Sequence, residues 1–215
     1  MRNQVKDEIE MAKKRELMLE TGVRVFAEKS IEPVSMQEVA KVCGLGVATL
    51  YRYFNTKLAF VIAIGVKKWE EYYIIVQKEY ERRGAETMTA AEELEFFLDC
   101  FIDLYRNHKD ILLFNRNFDT FVKHQGATAE QMKSYNEAVE IFEEKFHTVY
   151  HKAQEDGTLQ IGISEKKMFT TTMYTMLAVA AKYAEELIYP LDTPSDLTDE
   201  LFMLKRLILN EYVRQ

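Results

Sequence analysis

The chain has 215 residues, 47% of them apolar, with three prolines and eight glycines, a composition that leaves little room for sheet and predicts an all-α fold with a substantial core. No apolar stretch approaches the roughly 20 residues that span a bilayer, and the N-terminus lacks a signal-peptide pattern, so we expect a cytoplasmic protein without a membrane partner. The net charge of −7 argues against a nucleic-acid-binding surface spread over the whole chain.

The first element with a clear pattern follows Ser35. A serine is a good N-cap, because its side-chain oxygen accepts from the first backbone N–H groups of a helix, so a helix is predicted from about Met36. Gly44 stands where a chain leaving a helix often needs a positive φ. The short helix between them has one apolar face at helical spacing, formed by Val39, Ala40 and Cys43.

A second short helix is predicted from Val47 to Phe54. Its inward positions are Leu50, Tyr53 and Phe54, whereas its outward positions are mostly small or hydroxyl-bearing, namely Val47, Ala48, Thr49, Tyr51 and Arg52. Such a face is unusual in water, where Lys and Glu are expected, but it fits a major groove, because small side chains allow close approach to base edges. The pair of helices is thus typical of a helix-turn-helix that reads DNA. A plain helical hairpin with core aromatics would leave this outward face unexplained.

Lys57 follows this second helix. Asn55 or Thr56 can cap the next helix, which places Lys57 in its first turn, beside backbone N–H groups that favour an anion. We therefore expect Lys57 to hold a DNA phosphate.

The run TLYRYFNTK after a helix-turn-helix resembles the tetracycline-repressor (TetR) family, and the resemblance covers Arg15 to Lys57. It implies a three-helix DNA-binding domain over residues 1–57. Gly46 departs from the family pattern, which commonly has a polar capping residue there. The DNA-binding residues predicted from the residue pattern and this resemblance are Ser35, Gln37, Val47, Ala48, Thr49, Tyr51, Arg52, Tyr53 and Lys57.

Charge is divided unevenly along the chain. The first 60 residues hold ten Lys and Arg against eight Asp and Glu, or +2, and the remainder holds 18 against 27, or −9. An acidic body would confine DNA to the N-terminal face. Ordinary surface charge explains the asymmetry equally well.

The remaining residues, 58–215, are predicted to form a helical effector-binding and dimerisation domain, with about nine helices in the whole chain. After His108 a short helix or bend is expected through Phe121. The long helical segments are Leu58–Arg83, Thr89–His108, Ala129–Glu155, Glu165–Tyr189 and Leu197–Tyr212, with Pro190 and Pro194 between the last two.

The last two helices form a hairpin that commonly pairs with a twofold mate, and a helix-turn-helix needs a dimer to read two half-sites. We expect a homodimer on a palindromic DNA operator. The resemblance also implies a pocket for a small, largely apolar effector of unknown identity. The aromatics and methionines available to line it are Trp69, Tyr73, Phe97, Phe101, Tyr105, Phe114, Phe118, Phe121, Phe142, Phe146, Met173 and Tyr174, although helical stripes of this kind are more often core.

Catalytic motifs are absent from the sequence: it has no phosphate loop, nucleophile elbow or Cys-His pair, and we expect neither an enzyme nor a cofactor. His147 and His151 stand four apart, a spacing at which two imidazoles can share a metal, but spacing specifies no third ligand, so they are interpreted as surface or interface residues with no metal site. The function predicted is a ligand-responsive transcriptional regulator, a repressor because most of the family repress. The alternative is a DNA-binding protein of the same fold without an effector, such as a nucleoid or division factor.

Overall fold

The computed structural model describes residues 2–84, 87–160, 162–185 and 196–213. These residues form an all-α fold without a strand, and an isolated antiparallel bridge joins Leu159 to Val213. The fold class predicted from the sequence is confirmed. The helices are α1 (Arg2–Lys29), α2 (Met36–Val42), α3 (Val47–Phe54), α4 (Lys57–Arg82), α5 (Ala90–Asn107), α6 (Lys109–His124), α7 (Ala129–Asp156), α8 (Glu165–Ala184) and α9 (Thr198–Tyr212).

Most helix bounds agree with the sequence patterns to within one or two residues. The segment before Phe121 differs, because it forms the full 16-residue helix α6 rather than a bend or short helix. Helix α8 also differs, because it ends at Ala184 with the extended residue Glu185 as its C-cap, five residues before the predicted end at Tyr189. Tyr189 itself and the predicted turn around Pro190 and Pro194 lie outside the described residues. Among the helices that are described, none is long and apolar enough to cross a membrane.

The first compact unit comprises residues 1–70 and 114–138. Its core is rich in aromatic rings, with the Phe60 ring centroid 5.9 Å from Phe26 and 4.8 Å from Phe54. Gly22 makes room for this cluster, since a Cβ there would lie 2.5 Å from Cζ of Phe60. Helix α1 can approach α4 this closely because residue 22 has no side chain.

The second compact unit comprises residues 71–113 and 139–215. Helix α5 packs against both α8 and α9, and its first turn is closed by a capping box between Thr89 and Glu92. Lys205 on α9 is buried and pairs with Glu95 and Asp99 on α5, at 2.8 and 2.5 Å.

Helices α4, α6 and α7 each contribute to both units, so the division by compactness differs from the boundary between residues 57 and 58 predicted from the sequence. The predicted boundary divides the chain by expected function and not by packing, and it stays a prediction.

Candidate nucleic-acid interface

Helix α2 begins and ends as its sequence predicts. The backbone N–H of Glu38 donates to Ser35 Oγ at 3.1 Å, which satisfies one of the unpaired groups of the first turn. At the other end Gly44 has φ +68°, and its N–H donates to the carbonyl of Lys41 while Leu45 N–H donates to that of Ala40. This pair of bonds is a Schellman motif, which turns the chain sharply toward α3.

Helix α3 divides into a buried and an exposed side. Leu50 and Phe54 are buried, as predicted, and Tyr53 is half-buried beside Phe54. Tyr51 is 44% exposed, and Arg52 is also exposed, with its guanidinium 5.9 Å from the centre of the Tyr53 ring. The helix therefore presents polar and aromatic groups to solvent from a side that contributes nothing to the core.

The start of α3 carries the small residues of the predicted reader face. Gly46 is the N-cap, and no side-chain hydrogen bond caps the helix there. Ala48 is exposed, whereas Val47 and Thr49 are half-buried. Together with Ser35 and Gln37, both exposed at the start of α2, they complete the set of predicted DNA-binding residues in one short segment.

Lys57 lies in the first turn of α4, and Thr56 is the capping residue, because its Oγ1 accepts from Ala59 N–H at 3.0 Å. The Lys57 ammonium donates to the Glu32 carbonyl oxygen at 2.9 Å and lies 5.1 Å from the centre of the Phe121 ring. Burial lowers the pKa of Lys57. An ammonium has three donors, so the bond to Glu32 leaves two for a phosphate.

Two supporting contacts of this region have no signal in the sequence pattern. Lys29, at the end of α1, pairs with Glu38 on α2 at 2.5 Å, and the Arg15 guanidinium lies 5.6 Å from the centre of the Phe54 ring. The first contact joins residues nine apart and the second joins residues 39 apart, in each case from different helices. They support α2 and α3 from α1, and spacing along the sequence does not reveal them.

The residues predicted for an effector pocket are divided between the two units. Trp69, Phe114, Phe118 and Phe121 belong to the first unit and are buried. There Trp69 Nε1 donates to the Tyr135 hydroxyl at 3.1 Å, and Phe118 stacks on the Tyr135 ring with centroids 4.2 Å apart. These side chains pack the first unit.

In the second unit the predicted pocket residues differ in exposure. Three are buried: Phe97, Tyr105 and Phe146; four are half-buried: Tyr73, Phe101, Phe142 and Met173; and Tyr174 is 61% exposed. Three cavities have volumes of about 660, 310 and 240 Å³, and none of them is lined by any of the twelve residues predicted for the effector pocket. The pocket lining stays a prediction.

A short helix with an exposed reader face, set after a tight turn and a capped partner helix, defines the class of helix-turn-helix DNA-binding proteins. Residues 18–64 match the family of bacterial regulatory proteins described as the tetR family. The N-terminal segment of this chain is therefore similar to the DNA-binding segment of that family.

The HTH-type transcriptional regulator YerO of Bacillus subtilis (strain 168) is 28% identical over 106 residues, which is 48% of this chain and 35% of that protein. The match thus spans about a third of the relative's length.

Two solved structures show the same fold over most of this chain. The transcriptional regulator FadR from Bacillus subtilis, in complex with stearoyl-CoA, has a TM-score of 0.71 at 16% identity, covering 91% of this chain and 97% of that one. A TetR-family transcriptional regulator from Vibrio parahaemolyticus has a TM-score of 0.67 at 16% identity, covering 94% and 100%. At these identities the likeness concerns the fold alone.

Replacing Lys57 by Ala is expected to lower the free energy of unfolding by about 1–3 kcal/mol, because the Glu32 carbonyl loses a charged donor. Thermal or urea unfolding of the DNA-free chain measures this. Lys133→Ala removes an exposed lysine of the same unit and should leave stability within about 0.5 kcal/mol. Equal stability of the Lys57 variant and the wild type would contradict the supporting role of Lys57.

Proposed function

We propose that this chain is a homodimeric transcriptional regulator that binds a specific DNA operator and is released from it by a small apolar molecule. The observation that carries the proposal is the helix-turn-helix, whose second helix buries Leu50 and Phe54 and turns Tyr51, Arg52 and Ala48 to solvent. We assign the chain no catalytic activity and no cofactor.

In DNA recognition we give the predicted residues two roles. Thr49, near the start of α3, would contact base edges in the major groove, and Gln37 would reach a base from α2. Ser35, Tyr51, Tyr53 and Lys57 would hold phosphates, which fixes the register of the helix without reading sequence. The guanidinium of Arg52 could bind either a base edge or a phosphate. The small side chains of Val47 and Ala48 would allow the helix backbone to approach the base edges.

The homodimer is supported by apolar side chains that α8 and α9 leave exposed in the single chain. Tyr174 and Leu207 are both 61% exposed, Met203 is 55% exposed and Phe202 is 39% exposed. Large exposed apolar groups on two helices that pack against each other are typical of a surface that a partner covers. A second copy of the chain would cover it and place two α3 helices on successive major grooves.

The release mechanism is supported by the course of α4, which begins at Lys57 and runs to Arg82 through both compact units. A ligand held by residues of the second unit would bias the position of this helix. The two reader helices would then no longer match the spacing of the half-sites, and binding of ligand and of DNA would oppose each other. We propose repression as the sign of regulation, since most of the family repress.

Replacing Thr49 by Val keeps its shape and removes the hydroxyl, so we expect a changed preference at one base position worth about 1–3 kcal/mol. Tyr51→Phe should instead lower the affinity for all DNA sequences by about the same factor, because a phosphate contact carries no sequence information. Selection of bound fragments from the source genome, followed by binding titrations at fixed salt, measures both effects. Thr120→Val, at an exposed position of α6, is the matched control, and an unchanged sequence preference of the Thr49 variant would contradict its role.

Replacing Met203 and Leu207 together by Glu should give a species with the mass of one chain in sedimentation equilibrium, whereas the wild type should have twice that mass. Charges on the proposed interface would be buried without partners. Ile74→Glu changes an apolar residue on α4 with similar exposure, 52%, and should leave the dimer intact. A wild-type chain that sediments as a monomer at micromolar concentration would remove the dimer from the proposal.

An effector is expected to lower operator affinity and raise the melting temperature of the DNA-free chain, because it binds the released state better. Stearoyl-CoA is a suitable first probe of a long apolar ligand, with CoA alone as the control for its polar part. Release of DNA by stearoyl-CoA and not by CoA would support an apolar effector. Unchanged operator affinity with a series of apolar compounds would favour a regulator without one.

A further inference from the structure

Two helices of the second unit bring three metal-ligating side chains together. His147 and His151 lie one turn apart on α7, with ring centroids separated by 4.2 Å. Glu165, the first residue of α8, places Oε1 2.8 Å from His147 Nδ1. One potential ligand atom from each of the three side chains lies within 4.8 Å of the others. The third ligand that the sequence spacing did not specify therefore comes from a different helix.

The backbone that carries these side chains is fixed by packing. Phe146, next to His147, is 1% exposed, and its ring lies 5.3 Å from that of Phe169 on α8. The Tyr150 hydroxyl donates to the Ile163 carbonyl at 3.0 Å, which ties the segment before Glu165 to α7. The three potential ligands thus project from two elements held together on both sides, the arrangement that a metal site requires.

We propose that His147, His151 and Glu165 bind a divalent transition-metal ion of the zinc class. Two imidazoles and one carboxylate are suitable ligands for Zn²⁺ and other divalent first-row transition metals, whereas Mg²⁺ and Ca²⁺ prefer ligand sets made only of oxygen atoms. Three protein ligands leave a fourth, tetrahedral position for water. This assignment revises the interpretation of the two histidines as surface residues without a metal.

The hydrogen bonds around the cluster are compatible with this role. His151 Nδ1 lies 3.1 Å from Gln154 Oε1, so the tautomer that donates there leaves Nε2 with a free lone pair. A metal-bound histidine commonly has such a partner for its second ring nitrogen. Ligand atoms about 2.1 Å from a tetrahedral ion lie roughly 3.4 Å apart, longer than the 2.8 Å between His147 Nδ1 and Glu165 Oε1 and inside the 4.8 Å within which all three ligand atoms lie. Rotation of exposed side chains closes that difference.

The site faces solvent, since both histidines are exposed and Glu165 is half-buried. An ion can therefore enter without opening the fold. Once bound, it would join the C-terminal half of α7 to the start of α8. The inference depends on the geometry of this unit and not on the proposed DNA-binding function.

The test is a calorimetric titration of Zn²⁺ into the full chain, purified without a histidine tag and freed of metal by dialysis against a chelator. We expect one ion per chain. His147→Ala and His151→Ala should each weaken binding at least about 10-fold, since even the loss of an outer hydrogen-bond partner costs that much. Glu165→Gln keeps the shape and the hydrogen-bond acceptor but removes the anionic ligand, and it should weaken binding by about the same factor.

His124→Ala is the matched control, because His124 is exposed on α6 in the other unit and should leave Zn²⁺ affinity unchanged. Circular dichroism melts show that each variant folds, and Zn²⁺ should raise the melting temperature of the wild type but not of His151→Ala. The Co²⁺ form should have a tetrahedral visible spectrum without a thiolate charge-transfer band, which separates this site from Cys43 and Cys100. Equal affinity of the wild type and the His147 variant, or no binding by the wild type, would overturn the proposal.

Discussion

The packing of α3 against Phe60 is the constraint on which the proposed DNA reading by α3 depends. Helix α3 has eight residues, fewer than the roughly 12–15 at which an isolated helix becomes even marginally stable in water. Its position is therefore set by the burial of Leu50 and Phe54, and the Phe54 ring lies 4.8 Å from that of Phe60 on α4. Loss of a buried phenylalanine side chain costs about 3–5 kcal/mol. The exposed residues of α3 can therefore serve DNA recognition, because the buried residues Leu50 and Phe54 hold the helix in place.

The position of Phe60 depends in turn on how closely α1 approaches α4. Gly22 gives the ring its space, and Lys67 on α4 forms ion pairs with Glu16 and Glu20 on α1, at 3.0 Å for the second. The carboxylates are largely exposed, so these pairs contribute little to stability and mainly favour one register of the two helices. The missing side chain at Gly22 and the ion pairs of Lys67 thus both help to fix the packing of α1 against α4.

The sequence predicted the features that depend on residues close together in the chain, but not the contacts between residues far apart in it. The cap at Ser35, the left-handed residue Gly44 and the bounds of α3 depend on residues at most five apart, and the sequence pattern identified all three. The bond from Lys57 to the Glu32 carbonyl and that from Trp69 to Tyr135 join residues 25 and 66 apart, and no spacing rule predicts them. The same limit applies to the aromatics: helical spacing shows which side of a helix is apolar, but not whether Phe118 faces Tyr135 or a ligand.

Gly46, the N-cap residue of α3, leaves the first turn of this helix without a side-chain cap. The family commonly has a polar capping residue at this position. A Cβ at residue 46 would meet no atom within 4 Å, so packing does not explain the glycine, and its φ of −72° does not require one. The uncapped turn leaves backbone N–H groups at the positive end of the helix dipole, where a phosphate is a suitable partner. The DNA proposed as the partner of α3 would therefore supply the acceptor that a side chain supplies in other helices, and the stability of this turn would depend on the bound state.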